Sequence, residues 1–329
     1  MDYRETAALV RGKDNILIIT HRRPDGDTIG CAVGLCAALR ALGKTAWVLE
    51  NPDATSLFTP YLEGYVTNPL PPLLRGVSAQ PAGGFAPDFV VSVDIAGVGL
   101  FTDNSKVWLE RGIDLAIDHH PSNEGFGKEN CVDASRAACG ELVYDIISQW
   151  GSVPKESALP LYAAVSTDTG CFVYSNTTAG THRVAAALME AGADYRWVNK
   201  RHFRTKSFKR LKIESMLCEG MELFDGGVTA IGAVSLAMMA SVDAKEEDVE
   251  DIAAVVGQVE GVSNAVTIRE LKAGECKLSV RTGGSLNAST VCALLGGGGH
   301  AAAAGCTVYG SVDDAKKAIL DAIHQVQNG

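Results

Sequence analysis

The chain has 329 residues, with 29 Lys and Arg against 39 Asp and Glu, a formal net charge of −10, and 47% apolar residues. No stretch approaches the ~20 uninterrupted apolar positions of a membrane-spanning helix, and the acidic balance excludes a protein that coats long nucleic acid through many phosphate contacts. The length exceeds one ordinary hydrophobic core and predicts two domains. The opening MDYRETAALVRGKDN is charged and lacks an apolar core with a cleavage site, so no secretory signal is visible and cytoplasm is the expected compartment. Ile16 to Thr20 reads as a strand, Gly30 to Leu42 as a helix and Thr45 to Leu49 as another strand. Asp53 to Pro87 is rich in Pro and Gly and is expected to be irregular in part, before Phe89 to Val93 and Ile113 to Ile117 return the buried-strand pattern. Helices follow at Gly140 to Trp150, Glu156 to Ser166 and Thr178 to Ala191. This alternation predicts an α/β domain over 1–195, built on a doubly wound, mostly parallel sheet.

Tyr195 to Leu223 reads as helical and basic in its first part, and ends at the turn signal Asp225-Gly226-Gly227, which predicts a helical linker over 196–227. A smaller α/β domain over 228–329 is expected to contain the apolar run Val228 to Leu236 and an acidic helix near Glu246 to Val256. It then carries strands near Asn264 to Arg269 and Cys276 to Arg281, a helix at Asn287 to Leu295 and a closing helix at Val312 to Val326. The nine cysteines are odd in number and show no C-x-x-C spacing, which favours buried free thiols.

Acids and histidines gather where the predicted strands end. His21, Asp25 and Asp27 lie in HRRPDGD, Asp94 ends VVSVD, Asp118-His119-His120 ends LAIDHH, and Asp168 lies in STDTG after an apolar helical stretch. Each alone has a plain explanation as a helix cap, a turn anchor or a structural histidine. Together they would crowd like charges unless a cation sits among them. Oxygen and imidazole donors without thiolates favour manganese, magnesium or zinc, and this set of groups exceeds what one ion needs. Two ions sharing a carboxylate would use that number, which points to phosphoryl chemistry.

In this order, the four motifs resemble those of the DHH phosphoesterase family across the whole N-terminal domain. The resemblance implies a two-metal site with Mn2+, for which Mg2+ or Co2+ can substitute. His21, Asp25 and Asp94 would hold one ion, and Asp27, Asp94, His119 and Asp168 the other, with a water between them as nucleophile. His120 is then left as a phosphate contact or proton donor, and Asp118 as either the group orienting the imidazoles or a cap. The family often carries a Ser/Thr-rich stretch after the DHH loop; here DASRAACGEL stands from Asp133 to Leu142, and Arg136 is expected to compensate by reaching a phosphate.

Gly296-Gly297-Gly298-Gly299-His300 followed by AAAAG, and preceded by SVRTGGSLNAS, resembles the DHH-associated C-terminal domain. The resemblance implies substrate binding by Arg281, Gly297, Gly298, Gly299 and His300, the plainer readings being a hinge and a surface ion pair. Arg204, in the basic run Lys200 to Lys212, is a further substrate candidate on what otherwise reads as a solvated face. The implied substrates are short oligoribonucleotides such as 5′-pApA, and 3′-phosphoadenosine 5′-phosphate. Neither long nucleic acid nor a membrane is an expected partner, and a homodimer is compatible. A family II inorganic pyrophosphatase and a non-catalytic cyclic-dinucleotide sensor are the alternatives.

Overall fold

The computed structural model describes residues 1–69, 85–249, 252–284 and 286–328, so most of the Pro- and Gly-rich tract lies outside the described residues. The chain divides into two compact units, Met1–Thr205 and Lys206–Gly329.

The first unit is built on β1 (Ile16–Ile19), β2 (Ala46–Leu49), β3 (Val66–Thr67), β4 (Phe89–Val93), β5 (Leu115–Asp118) and β6 (Glu129–Val132). They form one sheet in the order β3-β2-β1-β4-β5-β6, with every pairing parallel. The runs ILII, FVVSV and LAID are buried at every position, as strands covered on both faces must be. One face packs Ile16, Ile18, Val91 and Ile117 against helices, while Leu17, Ile19 and Val90 pack against Phe101 and Trp108 on the other. The chain leaves β1 towards β2 in one direction and continues from β4 towards β5 in the other, which makes the β1/β4 junction a topological switch point.

The helix expected from Gly30 begins four residues earlier, at Gly26–Ala41, because the Asp25 side chain caps it by accepting from the amides of Asp27 and Thr28. It crosses helix Lys155–Asp168 at backbone contact. A Cβ at Gly26 would lie 2.3 Å from Thr167 Oγ1, at Gly30 2.3 Å from the Pro160 carbonyl, and at Gly34 2.6 Å from Leu161 Cγ. Three glycines at four-residue spacing thus let two helices carrying site residues approach more closely than any Cβ on the first would allow.

The second unit holds a mixed sheet in the order β11-β12-β10-β9-β8-β7. Its strands are β7 (Glu222–Phe224), β8 (Thr229–Val234), β9 (Asn264–Lys272), β10 (Glu275–Thr282), β11 (Gly298–Gly299) and β12 (Ala303–Tyr309). Only β8 and β9 pair in parallel. On β10, Cys276, Leu278 and Val280 enter the core while Lys277 and Arg281 stay exposed. The stretch 196–227 is shared between the units: Tyr195–Asn199 and the π-helical turn Lys200–Arg204 belong to the first, while Phe208–Glu219 packs Ile213 and Leu217 onto Ala230 and Val234 of the second. The acidic helix near Glu246 resolves into short turns at Glu246–Val249 and Ala253–Val256. All nine cysteines are free thiols, seven of them buried. Among the described residues no helix is long and apolar enough to cross a membrane.

Candidate metal centre

Three strand ends and two helix ends build the site, Asp25 and Asp27 standing at the start of helix Gly26–Ala41. His21 follows β1, Asp94 follows β4, and Asp118, His119 and His120 close β5. Asp168 is not at a strand end: it is the last residue of helix Lys155–Asp168, where the helix dipole adds to the negative potential. Asp94 itself adopts φ +58°, a left-handed conformation that Asp tolerates better than most residues and that turns its carboxylate across the sheet edge.

The groups converge in overlapping sets. The ligand atoms of His21, Asp25 and Asp94 lie within 4.8 Å of one another, as do those of Asp27, His119 and Asp168, and those of Asp94, His119 and His120. His21 Nε2 is 3.6 Å from Asp25 Oδ1 and 3.7 Å from Asp94 Oδ2. His119 Nε2 is 3.5 Å from Asp94 Oδ1, 3.7 Å from Asp168 Oδ2 and 3.8 Å from Asp27 Oδ2. Asp94 therefore stands between the two clusters.

Backbone groups fix how each side chain presents itself. His21 Nδ1 donates to the Arg22 carbonyl at 2.8 Å and His119 Nδ1 to the Arg136 carbonyl at 3.2 Å, which turns both Nε2 atoms towards the carboxylates. Asp27, fully buried, accepts from the Cys139 amide at 2.6 Å, the Gly140 amide at 2.9 Å and the Cys31 thiol at 3.2 Å. Asp118, also buried, accepts from the His119 amide, from His120 Nδ1 at 2.8 Å and from Asn123 Nδ2 at 2.7 Å. His120 is thereby held by Nδ1 with its ring partly exposed. Sequence reading missed Asn123 and the carbonyl and amide partners; the backbone groups leave no residue-type signal, and Asn123 stands out only once Asp118 is seen to need a donor.

The electrostatics show what the cluster lacks. Burial, then the charges of Asp94, Asp168 and Asp25, push the Asp27 carboxyl well above its ordinary range. Burial and the neighbouring carboxylates hold Asp168 up to about 6 despite His119. Burial would pull the His21 imidazole down, but Asp25 and Asp94 hold it up to about 11, and the Asp118 hydrogen bond holds His120 up to about 9. Protons are thus drawn in to offset crowded negative charge. Asp94 Oδ1 is buried without a hydrogen-bond partner. An orphaned carboxylate oxygen, imidazole nitrogens aimed at the carboxylates and surplus negative charge fit a divalent cation, which would release those protons on binding.

The other expected site residues fall elsewhere. The Arg136 guanidinium is committed to Asp145 at 2.5 Å, Glu141 at 3.4 Å and Asp133 at 3.5 Å, so its contribution to the site is the carbonyl that orients His119 rather than a free cation. Arg204 is exposed, with no ion pair among the described residues. In the second unit Gly298 and Gly299 form β11 against Gly305 and Ala304. Gly297 is required by packing, since a Cβ there would lie 2.2 Å from the Gly305 carbonyl, and its amide donates to Cys292. His300 closes the tight turn into β12, and Arg281 pairs in register with Ala303 at the same end of the sheet. A cavity of about 630 Å³ is lined by Gly296, Gly297 and Gly298 together with Lys277, Thr307 and Tyr309.

Comparison with known proteins gives the family. Residues 15–165 match the DHH family N-terminal domain and residues 233–328 the DHHA1 domain. The chain is 34% identical over 313 residues to the bifunctional oligoribonuclease and PAP phosphatase NrnA of Thermus thermophilus, covering 94% of this chain and 89% of that one. It is 23% identical to the protein of the same name from Bacillus subtilis, over 94% and 93% of the two chains. A crystal structure of an exopolyphosphatase-related protein from Bacteroides fragilis shares the fold, with a TM-score of 0.84 at 22% identity over 98% and 96% of the chains. With both domains matched and a relative aligned along nearly its whole length, the chain belongs to the DHH family of phosphoesterases.

Proposed function

We propose that this chain is a manganese-dependent hydrolase of short oligoribonucleotides, cleaving dinucleotides such as 5′-pApA to mononucleotides and removing the 3′-phosphate of 3′-phosphoadenosine 5′-phosphate. The observation that carries the reading is the pair of ligand clusters joined at Asp94: His21, Asp25 and Asp94 for one ion, and Asp27, Asp94, His119 and Asp168 for the other. Bound there, two divalent ions would neutralise phosphate oxygens and lower the pKa of a water for attack. The chain's own residues do the rest. The Arg22 and Arg136 carbonyls hold the ligating imidazoles in one tautomer. The Asn123–Asp118–His120 chain orients His120 through Nδ1, so that its exposed edge could bind a phosphate oxygen or give a proton to the leaving oxygen.

In the second unit Arg281 and His300, both without acidic partners among the described residues, are the groups assigned to the substrate's phosphate and base, beside the exposed edge of Gly298 and Gly299. The names of the relatives that align along nearly the whole chain support this substrate class over pyrophosphate. Hydrolysis of 5′-pApA, a longer RNA, 3′-phosphoadenosine 5′-phosphate and pyrophosphate, side by side with manganese and with a chelator, tests it. Preference for the dinucleotide supports the reading. Preference for pyrophosphate, or nucleotide binding without turnover, overturns it.

A further inference from the structure

Beyond Asp168 the backbone takes a strained course. Cys171 and Phe172 hold consecutive φ values of +58° and +67°, a left-handed pair outside glycine. The loop is pinned nonetheless: Cys171 N–H donates to the Ser166 carbonyl at 2.7 Å, and the amides of Val173 and Tyr174 both donate to the Thr169 carbonyl at 3.0 Å. The Phe172 ring stacks on His182 at 5.1 Å, and Asn176 Nδ2 ties the loop to the Asp168 carbonyl at 3.1 Å and the Ala137 carbonyl at 3.0 Å.

This course lifts the next two side chains off the core, Val173 and Tyr174. Tyr174 is 60% exposed. Its ring lies over Gly170, where a Cβ would sit 2.4 Å from it. Among the described residues neither its ring nor its hydroxyl has an aromatic or hydrogen-bond partner. Arg204, also without an ion pair among the described residues, stands close enough for its charge to act on the Cys171 thiol. Strain of this kind persists where the surrounding structure holds a functional group in place. An aromatic ring fixed in water one short loop from a metal cluster suits the π-face of a nucleobase.

We propose that Tyr174 is a stacking platform for a base of the substrate, flanked by Arg204 for the phosphate of the same nucleotide. The ligand class is a nucleoside monophosphate unit, and the proposal rests on the nucleotide-hydrolase reading above. It accounts for selectivity towards nucleotides over base-free phosphate esters by a group in the first unit, independent of the glycine-rich region of the second.

The test compares wild type, Tyr174→Ala and Tyr174→Phe on 5′-pApA and on the corresponding abasic dinucleotide with manganese. The alanine variant is expected to raise KM for pApA about tenfold, with the loss in KM rather than kcat, the phenylalanine variant restoring it and the abasic substrate indifferent to both. Unchanged KM for pApA, or equal losses on both substrates, overturns the proposal. Calorimetric binding of AMP against ribose 5-phosphate separates it from the hydrolase reading. If wild type leaves pApA uncut, that reading fails, while an AMP preference that survives Tyr174→Ala defeats the stacking platform whatever the turnover.

Discussion

Replacing Gly30 by alanine tests whether the metal cluster depends on direct contact between two helices. Helix propensity alone predicts a gain of about 1 kcal/mol, since alanine is the better helix former. The structure predicts the opposite sign. A Cβ at Gly30 would lie 2.3 Å from the Pro160 carbonyl, 2.8 Å from Ala164 Cβ and 2.9 Å from the Ala164 amide, and none of these is the far end of a flexible side chain. Ordinary contact begins near 3.4 Å, so the helices must separate by about 1 Å, an overpacking that costs about 3 kcal/mol. The net destabilisation of about 2 kcal/mol lowers Tm by about 4–8 °C for a domain of this size. Because Asp25 and Asp27 ride on one helix and Asp168 on the other, the same shift widens the Asp27, His119 and Asp168 cluster and weakens divalent-ion binding about tenfold or more. Thermal unfolding with chelator and with graded manganese reads both effects. Gly99→Ala is the control, because a Cβ there meets nothing within 4 Å and the residue has no positive φ. If Gly30→Ala matches Gly99→Ala in Tm and in its response to manganese, the helix-contact argument is refuted.

Asp94→Asn keeps the shape of the joining carboxylate and removes its charge. Wild type at a manganese concentration one hundred times Kd should gain about 2.7 kcal/mol of stability, and the variant should lose most of that gain together with turnover; an undiminished gain by calorimetry would remove Asp94 from the centre. Asn123→Ala deprives buried Asp118 of a donor at 2.7 Å and should lower kcat by about 10- to 100-fold with manganese affinity intact, measured by steady-state kinetics and metal titration. Arg136→Ala should cost about 2–3 kcal/mol, because buried Glu141 loses its cation, whereas Arg204→Ala should leave Tm unchanged and raise KM; a stable Arg136→Ala with raised KM would restore the phosphate-binding role. Burial, then the charge of Arg201, lowers His202 from its ordinary range to about 4. The folded state therefore resists a proton that the unfolded chain accepts, so this contribution is complete above pH 6.5 and is lost as pH falls towards 4, by up to about 3 kcal/mol. His202→Gln should flatten that part of the stability profile, and an unchanged slope between pH 6.5 and 4 would show that His202 titrates normally.

The parallel sheet was legible in the sequence because strands buried on both faces must be apolar throughout, as ILII, FVVSV and LAID are. The acids and histidines of the candidate centre were legible for a related reason: the polar residues that break such runs mark where the strands emerge. Several features were not. Strand β12 escaped notice because AAGCTVY is made largely of residues with weak strand preference and takes its conformation from the seven-residue register with β10. The early start of helix Gly26–Ala41 was hidden because a capping Asp and a glycine carry no apolar periodicity. The fate of Arg136 depended on Glu141 and Asp145, one turn apart on helix Cys139–Ser148, coming to face the loop that carries it. The sequence by itself determined the chemistry available: hard oxygen and imidazole donors clustered mostly at strand ends, in a set whose crowded negative charge suits a cation. Tertiary structure alone decided which donors lie within reach of one another and which nitrogen each imidazole presents, because those choices rest on backbone carbonyls and amides that every residue carries.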